Sequence, residues 1–248
     1  MARTTILLGD TVLNRWNIRR IEECRTLIEW LAPAPNERIL DVGCGDGYNT
    51  AVIARRGAIV TGIDVNEYRL AIARKRHRGL PVDFRTMNAE TMSFPDASFD
   101  KAISFCVIEH FQRDDLVLAN VRRVLEPHGT LVLSADSLMN PEIRTSEREI
   151  HSGRYDVKTF YSVDVLREKL EEAGFSLDRW RYILTTPVTL ALVRASWRLD
   201  DLPLPLLPVK AAGYLVLRVF GKPVSDVTEW IARRPDSGLT LLATASVR

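Results

Sequence analysis

Between residues 38 and 136 the chain alternates short β-like runs with helical ones: RILDVG, 48–56, IVTGID, 66–77, VDFRTM, FDKAISF, 114–125 and TLVLSAD. β-runs joined through helices become parallel neighbours, and a parallel sheet needs helices over both faces. The expected fold is therefore α/β, a doubly wound Rossmann-like sheet. Ligands of such sheets sit beyond the carboxyl ends of the strands. There the stretch ILDVGCGDGYNT at 39–50 places Gly43, Gly45 and Gly47 at alternate positions between Asp41 and Asp46.

Flanking segments complete the outline. Residues 12–32 carry Ile18, Ile21, Leu27, Ile28 and Leu31 at helical spacing and stop at Pro33 and Pro35, which predicts an amphipathic helix. A helix over 162–173 is expected to end at Gly174, and 176–184 and 239–247 read as two last strands. More than 50 residues lie between those strands, too many for a hairpin loop. Four segments follow: 1–35, an N-terminal helical lid with Arg15, Trp16 and Arg19 as candidate lid residues; 36–184, the core; 185–237, an apolar and basic helical insertion; and 238–248, the final core strand.

Composition narrows the function classes. A net charge of +2 on 248 residues gives no chain-wide attraction for nucleic acid. Cys24, Cys44 and Cys106 are far apart and form no CxxC pair, which suggests neither a disulfide framework nor zinc and fits a reducing cytoplasm. The apolar run Ile6–Leu8 is shorter than a signal-peptide core.

The acids around the glycine loop choose its ligand. Two carboxylates beside a pyrophosphate would repel it, whereas beside an ammonium and a sulfonium they attract. Asp64 closes the second expected strand 23 positions after Asp41, where an acid can accept both ribose hydroxyls. A nucleoside with positive charge and no phosphate is S-adenosylmethionine (SAM). An NAD(P)-linked oxidoreductase is the rival that the bracketing acids oppose, and a non-catalytic SAM-binding protein is a second.

ILDVGCGDG, VTGIDVN, MNAETMSFPDASFD, ISFCVIEHF and VRRVLEPHGTLVLS, in this order, resemble the class I SAM-dependent methyltransferases, in the small-molecule subgroup that includes the ubiquinone and menaquinone methylases. The resemblance covers roughly residues 36–184 and the last strand. It implies a seven-stranded, mostly parallel sheet with the last strand antiparallel. It implies SAM as cofactor, held by Asp41, Gly43, Cys44, Gly45, Asp46 and Gly47 of the first motif. Asp64 would meet the ribose, Val65 the adenine face, Asn88 the adenine amino group and the Ala89 amide a ring nitrogen, with Phe105 closing the fourth strand against the cofactor. Asn stands at 88 where the family more often has Asp, and a side-chain carbonyl still accepts from an amine.

Methyl transfer from a sulfonium is an in-line displacement, so the protein aligns and dehydrates the nucleophile. A base is needed only for a protonated acceptor. His110, after the fourth strand, and His151 and Tyr155, after the fifth, are the catalytic candidates, each weighed against a structural or surface role. Some ubiquinone O-methylases hold a divalent ion with an acid three positions before the Glu-His pair. Here that position is Cys106, read instead as a small apolar lining residue, so no metal is expected because a hard cation prefers oxygen. SFCV at 104–107 lacks the proline-rich motif of nucleic-acid amino methylases.

The segment Arg181–Arg234 carries a net charge of +4, which leaves −2 for the rest. Its apolar runs VTLALVRASW and VKAAGYLVLRVF suit a pocket lid, a homodimer interface, or a port for a lipid-like acceptor with peripheral membrane contact. The expected acceptor is a small, apolar molecule such as an isoprenoid, quinone, polyketide or lipid. Trp16, Trp180, Trp197 and Trp230 are candidates to line its pocket.

Overall fold

A computed structural model describes residues 16–248; Arg15 and the first residues of the 12–32 pattern lie outside them. Seven strands form one sheet: β1 (Arg38–Val42), β2 (Ile59–Asp64), β3 (Val82–Thr86), β4 (Phe99–Phe105), β5 (Leu125–Asp136), β6 (Phe175–Ile183) and β7 (Thr240–Val247), in the order β3-β2-β1-β4-β5-β7-β6. The first five run parallel, with Leu40 opposite Thr61 of β2 and Ala102 of β4. β7 is antiparallel to both neighbours, with Leu133 opposite Ala243. This is the architecture that the resemblance implies.

The period of two along each strand sends alternate side chains to two separate cores. Leu40, Val42, Ala102, Leu131, Leu133 and Ala243 pack on one face with Leu166 and Leu170. Ile39, Val60, Ile103, Val132 and Leu242 pack on the other with Ile18, Leu27, Ile28 and Leu31. Those last four belong to α1 (Ile18–Leu31), which Asn17 caps by accepting the Arg19 N–H and which ends at Ala32 in the left-handed region. The N-terminal helix is thus a layer of the core as well as a cover. Further helices are α2 (Tyr48–Ala54), α3 (Glu67–Arg76), α4 (Asp114–Val124), α5 (Thr145–Tyr155) and α6 (Val163–Glu172). Helix α5 and the start of β5 at Leu125 go beyond the sequence-based expectation. Leu125 joins the sheet opposite Phe99, and an irregularity before Lys101 restores the register.

The insertion is helical, as expected: α7 (Pro187–Asp200), α8 (Leu207–Val216) and α9 (Lys222–Ala232), with a π turn at Leu217–Gly221 between the last two. Thr186 caps α7 and Pro187 takes its first position, where the missing N–H costs nothing. Glu229 of α9 accepts from the Thr185 N–H (2.6 Å), the Thr186 N–H (3.2 Å) and the hydroxyls of Thr185 and Thr189. No helix among the described residues is long and apolar enough to cross a membrane.

Glu229→Ala strips these donors of their acceptor in a half-buried setting. It should lower unfolding stability by about 1–3 kcal/mol, read as the shift of the urea midpoint; an unchanged midpoint would show that α9 is held by other contacts.

Candidate functional site

The parallel strands direct their carboxyl ends to one edge, where two cavities of about 640 and 390 Å³ share Gly43. Asp41, Cys44, Gly45, Asp46 and Phe105 line the larger, together with Trp16 and with Glu23 of α1. Asp64, Val65, Asn88, Ala89 and His110 line the smaller. The two apposed cavities match a ligand with an amino-acid half and a nucleoside half. Gly43 and Gly47 have φ of +73° and +75°, and a Cβ on them would lie 2.5 Å from Val107 and from the Phe84 ring respectively. Only glycine lets the loop turn this tightly against its neighbours.

Asp41 is the electrostatic centre of the larger cavity. Its carboxylate is buried; Oδ2 accepts from the Thr50 hydroxyl at 2.6 Å, and Oδ1 has no hydrogen-bond partner among the described residues. Burial pushes this carboxyl up to about 7, Asp64 adds to the rise, and Thr50 opposes it. A buried carboxylate oxygen without a donor, beside a glycine cradle, suits the ammonium of SAM. Burial raises the Cys44 thiol, which leaves it a neutral wall residue. Asp46 differs from its expected part: its carboxylate is paired with Arg76 at 2.8 Å, so its charge is largely compensated on the rim.

In the smaller cavity the Asp64 carboxylate accepts from the Gly45 N–H at 2.9 Å and the Asn66 N–H at 2.8 Å. It ties the glycine loop to the end of β2, and each oxygen keeps a second lone pair for a ribose hydroxyl. Asn88 caps the short turn Ala89–Thr91 by accepting the Glu90 N–H at 2.9 Å, so the capping role and the cavity-lining position coincide.

The catalytic candidates separate. His110 faces the nucleoside cavity, its Nδ1 3.4 Å from the Asp156 carbonyl. His151 and Tyr155 of α5 stand together, ring centroids 4.7 Å apart, in the wall of a third cavity of about 390 Å³. Of the tryptophans, Trp197 lines this third cavity; Trp180 packs edge-on against Tyr182 and Trp230 projects outward.

A buried polar chain links the third cavity with the cofactor cleft. His151 Nε2 lies 2.6 Å from Asp136 Oδ2 at the carboxyl end of β5. The Arg19 guanidinium pairs with Asp136 and donates to Cys106 Sγ at 3.1 Å. Cys106 N–H donates to the Ser134 hydroxyl at 2.9 Å, and that hydroxyl bonds to Glu23 of the cleft wall. Cys106 is thus buried in a polar cluster, which corrects its reading as apolar lining. Cys106, Glu109 and Asp136 offer donor atoms within 4.8 Å of one another, and both Glu109 oxygens lack hydrogen-bond partners among the described residues. Arg19 brings positive charge to the same point. Burial pushes His151 down to about 3, and Arg19 adds to the fall, so the imidazole is neutral at working pH. Asp136, Glu23 and Ser134 were not singled out from sequence; the one available signal was polar residues closing the apolar strand TLVLSAD.

Asp64→Ala should abolish SAM binding in calorimetry while the circular dichroism stays native. Undiminished affinity would displace the ribose from this site. The raised Asp41 gives a pH signature. Its folded value lies above the unfolded one of about 3.9, so the free protein holds an extra proton there and loses stability as pH rises from about 4 to about 7. A bound ammonium favours the ionised form, so SAM affinity should rise from about pH 5 to pH 7, with proton release seen in buffers of different ionisation heat. Asp41→Asn should flatten the rise and weaken binding roughly 10- to 100-fold; an unaltered pH dependence would move the ammonium elsewhere.

The chain is similar to known methyltransferases. A methyltransferase-domain family model matches residues 40–133. A demethylmenaquinone methyltransferase of Tropheryma whipplei is 31% identical over 177 residues, covering 63% of this chain and 74% of that protein. An O-methyltransferase of Pyrenophora dematioidea is 32% identical over 154 residues, 58% of this chain; the match spans 56% of the relative's length. A crystal structure of a SAM-dependent methyltransferase from Mesorhizobium loti superposes with a TM-score of 0.66 at 20% identity, covering 92% of this chain and 99% of that one, a likeness of fold. With SAM as the family's cofactor, the dinucleotide alternative falls away: the chain belongs to the class I SAM-dependent methyltransferases.

Proposed function

We propose that the protein moves the methyl group of SAM to a hydroxyl oxygen of a small acceptor with an apolar body, bound in the third cavity, with His151 as general base. The observation that carries this reading is the His151–Asp136 contact of 2.6 Å in the wall of a cavity that also presents Tyr155 and Trp197. The relatives named as an O-methyltransferase and as a demethylmenaquinone methyltransferase support a small-molecule acceptor.

Bound SAM supplies a methyl carbon already activated by its sulfonium. The chain's own task is to strip water from the acceptor and take its proton. Trp197 and Tyr155 offer aromatic surface, and Arg144, Arg154, Arg194 and Arg198 stand around the same cavity. Of these, Arg194 is held by Glu147 and Arg154 by Asp201. This setting suits an aromatic or polyprenyl body with an acidic hydroxyl or a carboxylate. The neutral imidazole receives the hydroxyl proton on one nitrogen, while Asp136 fixes the ring through the other and stabilises the imidazolium that forms. Arg19 competes for the same carboxylate, so His151 becomes a stronger base when Arg19 withdraws. Asp136 is a positioning residue in this scheme.

Methyl-labelled SAM and a panel of alkyl- or prenyl-bearing phenols test the proposal, with products identified by mass. His151→Gln is expected to lower kcat by roughly 10²–10⁴ with the SAM dissociation constant unchanged. Asp136→Asn should lower kcat and shift the pH profile. Transfer to amines alone, full activity of His151→Gln, or binding of SAM without transfer to any hydroxyl would overturn it, the last leaving a SAM-binding protein without this chemistry.

A further inference from the structure

Helix α9 is turned inside out. Its protein-facing side is polar: Ser225 is buried, Glu229 bonds to the start of α7, and Lys222 pairs with Glu22 of α1 and with Asp226. Its solvent side is apolar, with Val224, Val227, Trp230 and Ile231 exposed, Trp230 at 86% and Ile231 at 69%. The stripe continues back through the π turn, where Phe220 is 68% exposed, to Val216 at the end of α8. These positions recur every three or four residues, the spacing of one helical face. Inward anchors hold the orientation: a Cβ on Gly221 would meet Ile18 and Leu192 at 3.2–3.3 Å, so the helix sits close against α1 and α7 there. A helix fixed by its polar side presents its apolar side to something else.

We propose that this face docks onto an anionic lipid membrane surface, with Phe220, Trp230 and Ile231 entering the headgroup boundary. Charge favours lipid. Residues 207–234 hold five basic against two acidic side chains, and both acids are partnered, the half-exposed Asp226 by Lys222 and Glu229 by the Thr185 and Thr186 amides. Arg233 remains exposed at the end of the stripe, while Arg218, also exposed, lies over the Trp16 ring. Tryptophan with flanking arginine suits the layer where acyl chains meet anionic headgroups. A two-fold contact with a second copy would bring these same cations face to face. The inference is independent of the acceptor's identity and of the His151 chemistry.

Flotation of the full chain with phosphatidylcholine vesicles, with and without about one third phosphatidylglycerol, tests it, followed also by the tryptophan emission maximum. The wild type should float with the anionic vesicles, blue-shift on binding, and release as salt rises. Trp230→Ser combined with Ile231→Ser should weaken partitioning by on the order of tenfold or more while leaving the SAM dissociation constant unchanged. Arg233→Glu should weaken binding to anionic vesicles only. Absence of vesicle binding by the wild type, or equal binding by the double variant, would overturn the proposal. So would a concentration-dependent dimer that the double variant abolishes while vesicles remain unbound, which would make the face a self-interface.

Discussion

The Arg19–Asp136 pair holds the architecture of the site together. Both groups are withdrawn from water where α1 crosses the ends of β4 and β5, and desolvation of two charges is offset only when the geometry and the surrounding hydrogen bonds are good. Here Cys106 and His151 supply those extra contacts. One turn along α1, Glu23 repeats the arrangement: burial raises its carboxyl, but Arg20 and Arg19 outweigh that and hold it below the usual range. The covering helix is thereby keyed to the strand ends by charge as well as by Ile18, Leu27, Ile28 and Leu31. Loss of one member leaves the others buried and uncompensated, which costs more than the pair contributes.

This keying gives the helix two tasks that oppose each other. It packs on the sheet as core, and it lines the cofactor cleft through Glu23. Its Arg19 also shares the Asp136 carboxylate with His151, so the same side chain that anchors the helix lowers the basicity of the candidate catalyst.

Much of this was legible from residues alone, for identifiable reasons. β1, β2 and β4 are buried on both faces, so RILDV, IVTGID and FDKAISF read as strands without help from tertiary context, and Gly43 and Gly47 announced a turn that no other residue can make against Val107 and Phe84. Helix α5 was missed because TSEREIHSGRY is polar nearly all round, with His151 its one buried residue. That burial comes from α7 and β5, partners distant in sequence, and periodicity carries no trace of them. Asp136, Ser134 and Glu23 escaped for the same reason: the first two look like the polar end of an apolar strand and the third like one charge among several on a helix, until three elements converge. The apolar character of α7 and α8 was plain, but which side of α9 faces inward follows from Glu229 meeting the amides at 185 and 186.

Lys222 and Gly221 join the outermost helix directly to α1, one by an ion pair with Glu22 and the other by close approach to Ile18. The peripheral face and the charged seam are therefore joined through one helix. A displacement of α9 would be met on α1 by Ile18 and Glu22, the chain neighbours of Arg19 and Glu23.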